Sequence, residues 1–563
     1  MQLPELQIER LGPLPLVNHF LRRLNLDAAL ADFVPSQDRD NGLPYAKALG
    51  VLLRSIIVER EPIYRQQEVV ETFAPGAFGV QPDEVARLSD DRIGRALDRL
   101  FDADRAGLLT RMVIGMGKSF AVRLDELHND STSIRLTGQY RDARGRSLRG
   151  RRAPWITYGY SKDHRPDLKQ LLFILTTSAD GGVPVQFRCE DGNRSDVDTH
   201  IETWEALRRV AGKPDFLYVA DSKLCVTETL DYINDRKGRF VTVMPRSRGE
   251  DAHFRKSIQT DDPLWEPVWD RPNPRRNHGP RDRWWALRDP SLSSEAWPIT
   301  WVYSALLRLK QDHGRRERLA AAIEALKDLK LRLARPKTRL RKPHVLEDHV
   351  ERILQRHSVK RYLIVRKFLL EDHRYKQSRR GRPGKQTTYR RITRRRWDVQ
   401  WEEDHAAIEY DRKSDGMYPL MSNDKNLTPA QVLEAHKGQP TIEKRFRQCK
   451  STLEIAPVLL HNEGRIEALF FLYFLALLVQ GLIERELRLA MRREQVEKLA
   501  LYPEDRRCKH PTAEQVLRLF ALAQRSVLSR PGGDTEVYEP RFTDLQRQVL
   551  RLLGVPARAY TCA

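Results

Sequence analysis

The chain has 563 residues, 40% of them hydrophobic, which is enough for about three or four domains and too apolar for an intrinsically disordered protein. Lysine and arginine outnumber aspartate and glutamate by 99 to 77, and the formal net charge of +22 favours a polyanionic partner, with nucleic acid the leading candidate. The five cysteines are scattered, odd in number and without a CxxC pair, so the sequence indicates neither a disulfide framework nor a zinc knuckle.

The first residues and the most apolar segment both argue against a membrane protein. The N-terminal sequence MQLPELQIERLG carries acids and no long apolar run, so it predicts no signal peptide. Residues 468–479 (ALFFLYFLALLV) are too few to span a bilayer and predict a buried helix. We therefore expect a cytoplasmic, nucleoid-associated protein with no membrane partner.

Residues 1–122 have the apolar spacing of short helices separated by proline, glycine and aspartate. PLVNHFLRRL, AKALGVLLRSIIV and DDRIGRALDRLF repeat hydrophobic side chains every three or four positions. This pattern predicts an all-helical N-terminal domain. Plain packing and a basic helical DNA-binding module explain it equally well.

Residues 123–245 change to a period of two, which is typical of strands. The segment LHNDSTSIRL (127–136) predicts a first strand, and QLLFILTTS, ADGG and VPVQFRCE (170–190) predict a β-hairpin. A helix from about Asp196, a strand ending at Asp221, a second helix and a strand at 239–245 follow. This order predicts an α/β domain with a mixed sheet and helical crossovers.

Residues 246–414 differ in composition and predict a large insertion with long helices. Tryptophan, proline and arginine are frequent, and leucines between Leu319 and Leu333 form a seam that predicts a helical hairpin packed on its own chain, or a dimer contact. Residues 371–400 contain eleven lysines and arginines against three acids, within SRRGRPGK and YRRITRRRW. Aromatic residues among so many arginines favour phosphate contacts over a merely solvated face.

The remaining chain returns to the predicted sheet and then becomes helical. Residues 415–480 contain strand-like DGMYPLMSN and the helix TIEKRFRQCK, in which Glu443 is the only acid among several bases. Residues 481–563 predict a helical region that provides structure and possible dimer or DNA contacts.

Three carboxylates stand at positions that suit catalysis. Asp130 lies inside the first strand, Asp221 ends the fourth, and Glu443 lies near the start of a helix. An aspartate at a strand end is usually a turn or cap residue. Three converging acids, however, would repel one another unless they held divalent cations, and oxygen ligands suit Mg²⁺ or Mn²⁺. Two such ions can drive in-line attack on a phosphodiester, and the bases around Glu443 would hold the DNA strand.

The chain resembles the DDE transposases of bacterial insertion sequences, and in particular the group with the signature Y-x2-R-x3-E-x6-K. The resemblance extends over nearly the whole chain and is carried by HNDSTSIRLTGQY (128–140), GYSKDHRPDLKQ (159–170), VADSK (219–223), DGMYPLMSND (415–424) and IEKRFRQCK (442–450). It implies an RNase H-like catalytic core, interrupted by a large insertion and flanked by helical N- and C-terminal regions. It also implies that residues 1–122 bind transposon ends.

The resemblance assigns roles to individual residues. Asp130, Asp221 and Glu443 would form the catalytic, metal-binding triad, and Lys450 would contact a transposon-end phosphate. His436 stands at the signature tyrosine position. The other residues expected at the DNA are Gln439, which stands at the signature arginine position, and Lys444 and Arg447, with Lys437 and Arg445 as possible substitutes for the missing contacts.

The implied function is a transposase that cuts and joins DNA at the terminal inverted repeats of its own element, with two Mg²⁺ or Mn²⁺ ions. We expect double-stranded DNA, both element end and target, as its partner and a homodimer on DNA. Two alternatives are a non-catalytic DNA-binding descendant of such an enzyme and an RNase H-like nuclease without strand transfer.

Overall fold

The protein is described here by a computed structural model. It describes residues 5–36, 42–195, 197–272, 281–335, 338, 340, 342–502, 504, 506–530, 535–538 and 540–561. The chain divides into two compact units. Unit 1 comprises Met1–Val243, Ser422–Asp424 and Glu434–Ala563, and unit 2 comprises Met244–Met421 and Lys425–Leu433.

The N-terminal part of unit 1 is mainly helical, as the apolar spacing predicts. Two of its helices begin at a polar side-chain cap: the Ser89 hydroxyl accepts a hydrogen bond from the Arg92 amide at 3.1 Å, and the Asp104 carboxylate accepts one from the Gly107 amide at 2.9 Å. One prediction for this region is wrong, because it is not all-helical. A strand, β1 (Glu5–Arg10), pairs antiparallel with Gln524–Ser529 near the C-terminus. The helices are α1 (Leu14–Arg23), α2 (Leu26–Phe33), α3 (Tyr45–Val58), α4 (Gln66–Glu71), α5 (Asp90–Asp102) and α6 (Arg105–Phe120).

The next part of unit 1 contains the predicted mixed sheet. Five of its strands lie in the order β6-β5-β2-β7-β8. The pairs β6·β5 and β5·β2 are antiparallel, whereas β2·β7 and β7·β8 are parallel. The strands are β2 (Glu126–Leu136), β5 (Lys169–Ser178), β6 (Pro184–Glu190), β7 (Leu217–Ala220) and β8 (Arg239–Val243), with the short pair β3 (Ser147–Leu148) and β4 (Arg151–Arg152) between β2 and β5.

The parallel strands are joined through helices, as predicted. The first crossover contains α7 (His200–Ala211) and the second contains α8 (Thr227–Asp235). Trp204 of α7 is fully buried, so this crossover helix packs its apolar face against the protein interior. Asp196, where we predicted the first crossover helix to begin, lies outside the described residues.

Unit 2 contains four strands, helices and a long β-ribbon. Four strands lie in the order β14-β11-β10-β9. The predicted leucine seam of α10 is buried within unit 2 together with residues of α11 and of the ribbon, so it packs on its own chain. The elements are α9 (Gly249–Ser257), β9 (Glu266–Arg271), β10 (Asp282–Leu292), β11 (Pro298–Ser304), α10 (Ala305–Ala334), α11 (Pro343–Arg356), β12 (Leu363–Gln377), β13 (Tyr389–Glu403), α12 (His405–Lys413) and β14 (Met417–Ser422).

The C-terminal part of unit 1 contains the Glu443 helix and a long apolar helix. The segment 468–479 lies inside α15, and 94% of the most apolar window of this helix is buried. Among the described residues, α15 is the helix that is long and apolar enough to cross a membrane. It continues through residue 480, where we predicted a domain boundary, because its apolar side chains are buried along its length. The elements are α13 (Pro429–Lys437), α14 (Pro440–Arg447), α15 (Glu463–Arg493), α16 (Ala513–Leu519), β15 (Gln524–Ser529), β16 (Thr535–Tyr538) and α17 (Asp544–Leu553).

Two strands interrupt the C-terminal region that we predicted to be helical. Strand β15 pairs with β1 on one side and with β16 on the other. Their residues are partly or fully exposed, so the sequence lacks the continuous apolar character of a buried strand. The description of this region as helical is therefore correct for α16 and α17 and wrong for β15 and β16.

Candidate functional site

Asp130 lies in β2, and Asp221 directly follows the neighbouring parallel strand β7. The register pairs His128 of β2 with Val219 of β7. Two residues further along the chain, Asp130 and Asp221 therefore stand at about the same level. Both line one small polar cleft, together with Asn129, Ser131, Thr199 and His200. The structure thus brings together two of the three predicted acids.

Lys162 lies beside Asp130 and was not among the site residues predicted from the sequence. Its Nζ lies 3.6 Å from Asp130 Oδ1 and donates to the backbone oxygen and the hydroxyl of Ser131 at 2.6 and 2.8 Å. The Lys162 amide also donates to the Ser133 hydroxyl at 3.1 Å. Because three contacts fix this lysine along β2, a positive charge is positioned beside one catalytic candidate.

The start of α14 is attached to β2 at the residue that precedes Asp130. Gln439 Nε2 donates to the Asn129 backbone oxygen at 3.3 Å. A Cβ at Gly438 would lie 2.4 Å from Cε1 of His128, so only glycine allows this close approach. Gln439 has helical backbone angles and Glu443 follows it by four residues, which places both on the same face of the helix.

Glu443 therefore lies on the helix face that meets β2, one turn beyond Gln439. Glu443 is exposed to solvent. Among the described residues, no group of three His, Cys, Asp or Glu side chains is arranged to hold a metal ion. Glu443 is not among the residues that line the cleft of the two aspartates.

Arg445, in the same helix, is a buried structural residue. Its guanidinium donates to the backbone oxygens of Gly182 and Gly181 at 2.8 and 3.3 Å and lies 3.0 Å from Glu484 Oε2. Both Arg445 and Glu484 are 1% exposed. These contacts join α14 to the β5–β6 turn and to α15. The hypothesis that Arg445 contacts DNA is therefore wrong, because its side chain is enclosed and its donors are used inside the protein.

Burial and the neighbouring bases act in opposite directions on the carboxyl of Glu484. Burial alone would raise its pKa, but Arg445, Lys444 and Arg488 together hold the pKa below its usual range. Glu484 therefore remains ionised at neutral pH and keeps its contacts with the three bases.

Lys450, the predicted phosphate-binding lysine, is held by Asp163. Its Nζ donates to both carboxylate oxygens at 2.9 and 3.1 Å, and the two side chains are 24% and 25% exposed. Asp163 also lies 3.4 Å from Arg135 of β2. The adjacent residues Lys162 and Asp163 therefore contact two different elements. Lys162 contacts β2 at Ser131, and Asp163 contacts Lys450, which follows the Glu443 helix.

His436 occupies the position of the signature tyrosine but is partly enclosed. Burial, together with the charges of His128 and Lys437, lowers its pKa to about 4. A neutral imidazole at pH 7 supplies no ionic contact to a phosphate. At pH 7, His436 would therefore contact DNA only through a hydrogen bond.

The other two predicted DNA contacts on α14 differ in exposure. Arg447 is exposed to solvent. The Lys444 side chain is 40% exposed and its Nζ lies 3.5 Å from Glu484 Oε2. Burial lowers the pKa of Lys444, with Glu484 opposing the shift. Arg447 is therefore the more accessible of the two bases.

The donor atoms at the cleft fit a hard divalent cation. Asp130 and Asp221 supply carboxylate oxygens, and Mg²⁺ is commonly bound through one or two carboxylates plus water and substrate phosphates. Asp130 Oδ1 accepts a hydrogen bond from the Ser131 amide at 2.7 Å, and Asp221 Oδ1 accepts one from the Lys223 amide at 3.0 Å. These contacts orient both carboxylates, as ligands of a metal require.

No protein-family model matches this chain, and no curated protein sequence is significantly similar to it. Among solved structures, the chain is similar to a piggyBac transposase in a synaptic complex with hairpin DNA, with a TM-score of 0.28 and 11% sequence identity. The similarity covers 51% of this chain and 60% of that chain, so it spans less than two thirds of the piggyBac protein. A likeness this weak carries no argument about activity.

Proposed function

We propose that this protein is a DNA transposase of the DDE type, with an RNase H-like core, that cuts and joins DNA at the ends of its own insertion element. The observation that carries the proposal is the pairing of Asp130 with Asp221 at one cleft, with the Glu443 helix attached to the same strand. Two neighbouring carboxylates can hold the divalent ions that metal-dependent phosphodiester cleavage uses, and the attached helix carries the third predicted acid.

The order of the elements supports the RNase H-like interpretation. Three antiparallel strands are followed by two parallel strands that are reached through helices. Asp130 lies on the central strand of the five and Asp221 follows the next one. All of unit 2 lies between Asp221 and Glu443 in the chain, as expected for an insertion in the catalytic core.

Each residue of the site has a role in the proposed reaction. Asp130 and Asp221 would hold Mg²⁺ or Mn²⁺, with Glu443 as the third acid. A pair of such ions bound there would activate a water or a DNA 3′-hydroxyl as the nucleophile and would stabilise the leaving oxygen. Lys162 would bind an oxygen of the phosphate that is attacked. Lys450 and Arg447 would bind phosphates further along the strand.

The test is cleavage of a labelled duplex that carries the element's own end, with Mg²⁺, Mn²⁺ or EDTA. We expect metal-dependent cleavage by the natural protein and none by Asp130→Asn, Asp221→Asn or Glu443→Gln, each with DNA binding retained. Asp167→Asn is the matched control, because this exposed acid pairs with Arg165 at the surface.

Three outcomes would overturn all or part of the proposal. Tight end binding without cleavage under any divalent metal would favour a non-catalytic DNA-binding descendant. Cleavage without joining in a strand-transfer assay would favour a nuclease. Cleavage that survives all three substitutions would show that the acids are not the catalytic residues.

Joining two element ends requires that both be held at once, so we propose a homodimer on DNA. Mass photometry of the protein with end duplexes would then give two chains and two ends in one complex. One chain with two ends, or two ends that never occupy one complex, would contradict this proposal.

A further inference from the structure

The ribbon formed by β12 and β13 has an uncompensated positive charge over its outer part. Midway along the ribbon, Arg395 pairs with Glu371 at 2.7 Å and Arg396 with Asp372 at 3.2 Å. From His373 to Trp397 the chain contains no acid. The nine other bases of this stretch form no ion pair with the described residues: Arg374, Lys376, Arg379, Arg380, Arg382, Lys385, Arg390, Arg391 and Arg394.

The two strands pair without interruption, so the charge is carried on a regular support. The register runs from Leu363 opposite Glu403 to Gln377 opposite Tyr389. Fifteen residues in each strand correspond to a length of about 50 Å. Most of the ribbon's outer residues are exposed on both faces, so the apolar core of unit 2 does not need this length.

The end of the ribbon is an exposed arginine-rich loop with the sequence Arg379-Arg380-Gly381-Arg382-Pro383. Gly381 has φ +144°. No other atom lies within 4 Å of the place where its Cβ would be, so that side of the backbone faces open space. The loop has a defined shape: Gln377 Nε2 donates to the Gly381 oxygen at 3.1 Å, and the Gly384 amide donates to the Thr387 hydroxyl at 2.7 Å.

We propose that this loop is a DNA-binding site that inserts Arg380 and Arg382 into the minor groove of A·T-rich duplexes. Arginine is drawn into narrow A·T-rich minor grooves by their enhanced negative potential. Gly381, which has no side chain, lets the backbone approach the groove floor, and Pro383 keeps the chain extended without an amide to satisfy. Arginines of the two strands then reach the flanking phosphates.

The minor groove fits this loop better than the major groove does. A two-stranded ribbon lying in the major groove would read bases with side chains along its strands. In this ribbon the narrowest part is the tip, where Gly381 has no side chain, and it therefore suits a groove only about 6 Å wide. In that groove the amino group at N2 of guanine is the main difference between G·C and A·T pairs. The site therefore distinguishes duplexes by that amino group and not by element sequence.

The inference concerns unit 2 alone and does not depend on the catalytic proposal. The experiment measures binding of the full-length protein to three hairpin duplexes without element ends, made of A·T, G·C or I·C pairs, by fluorescence anisotropy. Inosine lacks the N2 amino group, so an I·C duplex presents an A·T-like minor groove and a G·C-like major groove. Binding is also measured with netropsin, which occupies A·T minor grooves, and with an RNA duplex.

We expect A·T and I·C duplexes to bind about tenfold more tightly than G·C, since each discriminated contact typically changes affinity by about that factor. Netropsin should remove the preference. Arg380→Ala/Arg382→Ala should bind all three DNA duplexes equally. The matched control, Arg390→Ala/Arg391→Ala, loses the same charge from the paired strands and should weaken binding to all three equally while the preference remains.

Several results would overturn the inference. They are equal binding of the three DNA duplexes by the natural protein, an I·C duplex that behaves like G·C, and a preference that survives Arg380→Ala/Arg382→Ala. Tighter binding to duplex RNA than to A·T DNA would also overturn it, because the minor groove of A-form RNA is wide and shallow. Circular dichroism of both variants verifies that the exposed substitutions leave the fold intact.

Discussion

Arg445 should be indispensable for placing the Glu443 helix, although its described contacts are with Gly181, Gly182, Gln448 and Glu484 and not with the proposed catalytic acids. Replacing it with methionine keeps most of the side-chain volume and removes the charge. The change leaves Glu484 without its closest partner, and the Gly182 oxygen, which accepts from Arg445 at 2.8 Å, without its donor. Removing one member of a buried ion pair typically costs about 3–5 kcal/mol.

This cost should appear as local opening of α14. At the lower limit of about 3 kcal/mol, amide exchange through local opening becomes more than about a hundredfold faster. Hydrogen exchange measured by mass spectrometry on peptides covering residues 440–452 gives this rate directly. We also expect loss of end cleavage, because Glu443 is carried by the same helix.

Arg447→Met is the matched control, since it removes an exposed arginine from the same helix. We expect its exchange free energy to stay within about 0.5 kcal/mol of the natural protein. If Arg445→Met leaves exchange of this segment unchanged, or if Arg447→Met accelerates it equally, then the buried contacts of Arg445 do not anchor the helix.

Three further predictions concern the residues around β2. Gly438→Ala should lower the free energy of unfolding by about 1–3 kcal/mol, because the added Cβ would overlap the buried His128. It should also abolish cleavage while DNA binding remains. Cleavage at the natural rate would contradict a need for this close approach. Lys162→Met should lower the cleavage rate by about a hundredfold with little change in DNA affinity, whereas a loss confined to affinity would exclude a role at the attacked phosphate. His436 has a pKa lowered to about 4, so below pH 6.5 the unfolded chain takes up a proton that the folded protein does not. The free energy of unfolding, measured by exchange of α13, should therefore fall by about 3 kcal/mol from pH 7 to pH 4, and His436→Gln, with an uncharged side chain, should lose that part of the pH dependence.

The sequence predicts the paired aspartates well because their position depends on local patterns. Alternating β-branched and polar residues indicate the strands, and a helix between two strands indicates that they run parallel. Two acids at corresponding levels of parallel neighbours must then meet, as Asp130 and Asp221 do. The glycine-containing turn likewise predicts the β5–β6 hairpin.

Other features have no local signal. The pairing of β1 with β15 joins the two ends of the chain, and neither short strand is buried enough to be recognised. Arg445 lies between Lys444 and Arg447 in a basic run, and nothing in that run shows which base is enclosed. Its burial depends on Glu484 and on the turn at Gly182, which only folding brings together.

The single acid among bases in TIEKRFRQCK can now be explained by the separate environments of its neighbours. Arg445 is directed inward and fixes the helix, Lys450 is directed along β2 toward Asp163, and Arg447 is exposed. Glu443 lies on the face that meets the strand of Asp130. The charges of this helix therefore do not form one patch: one builds the fold, others are available to a phosphate backbone, and the one acid is exposed. This separation is what a helix needs if it must both position a carboxylate and approach a polyanion.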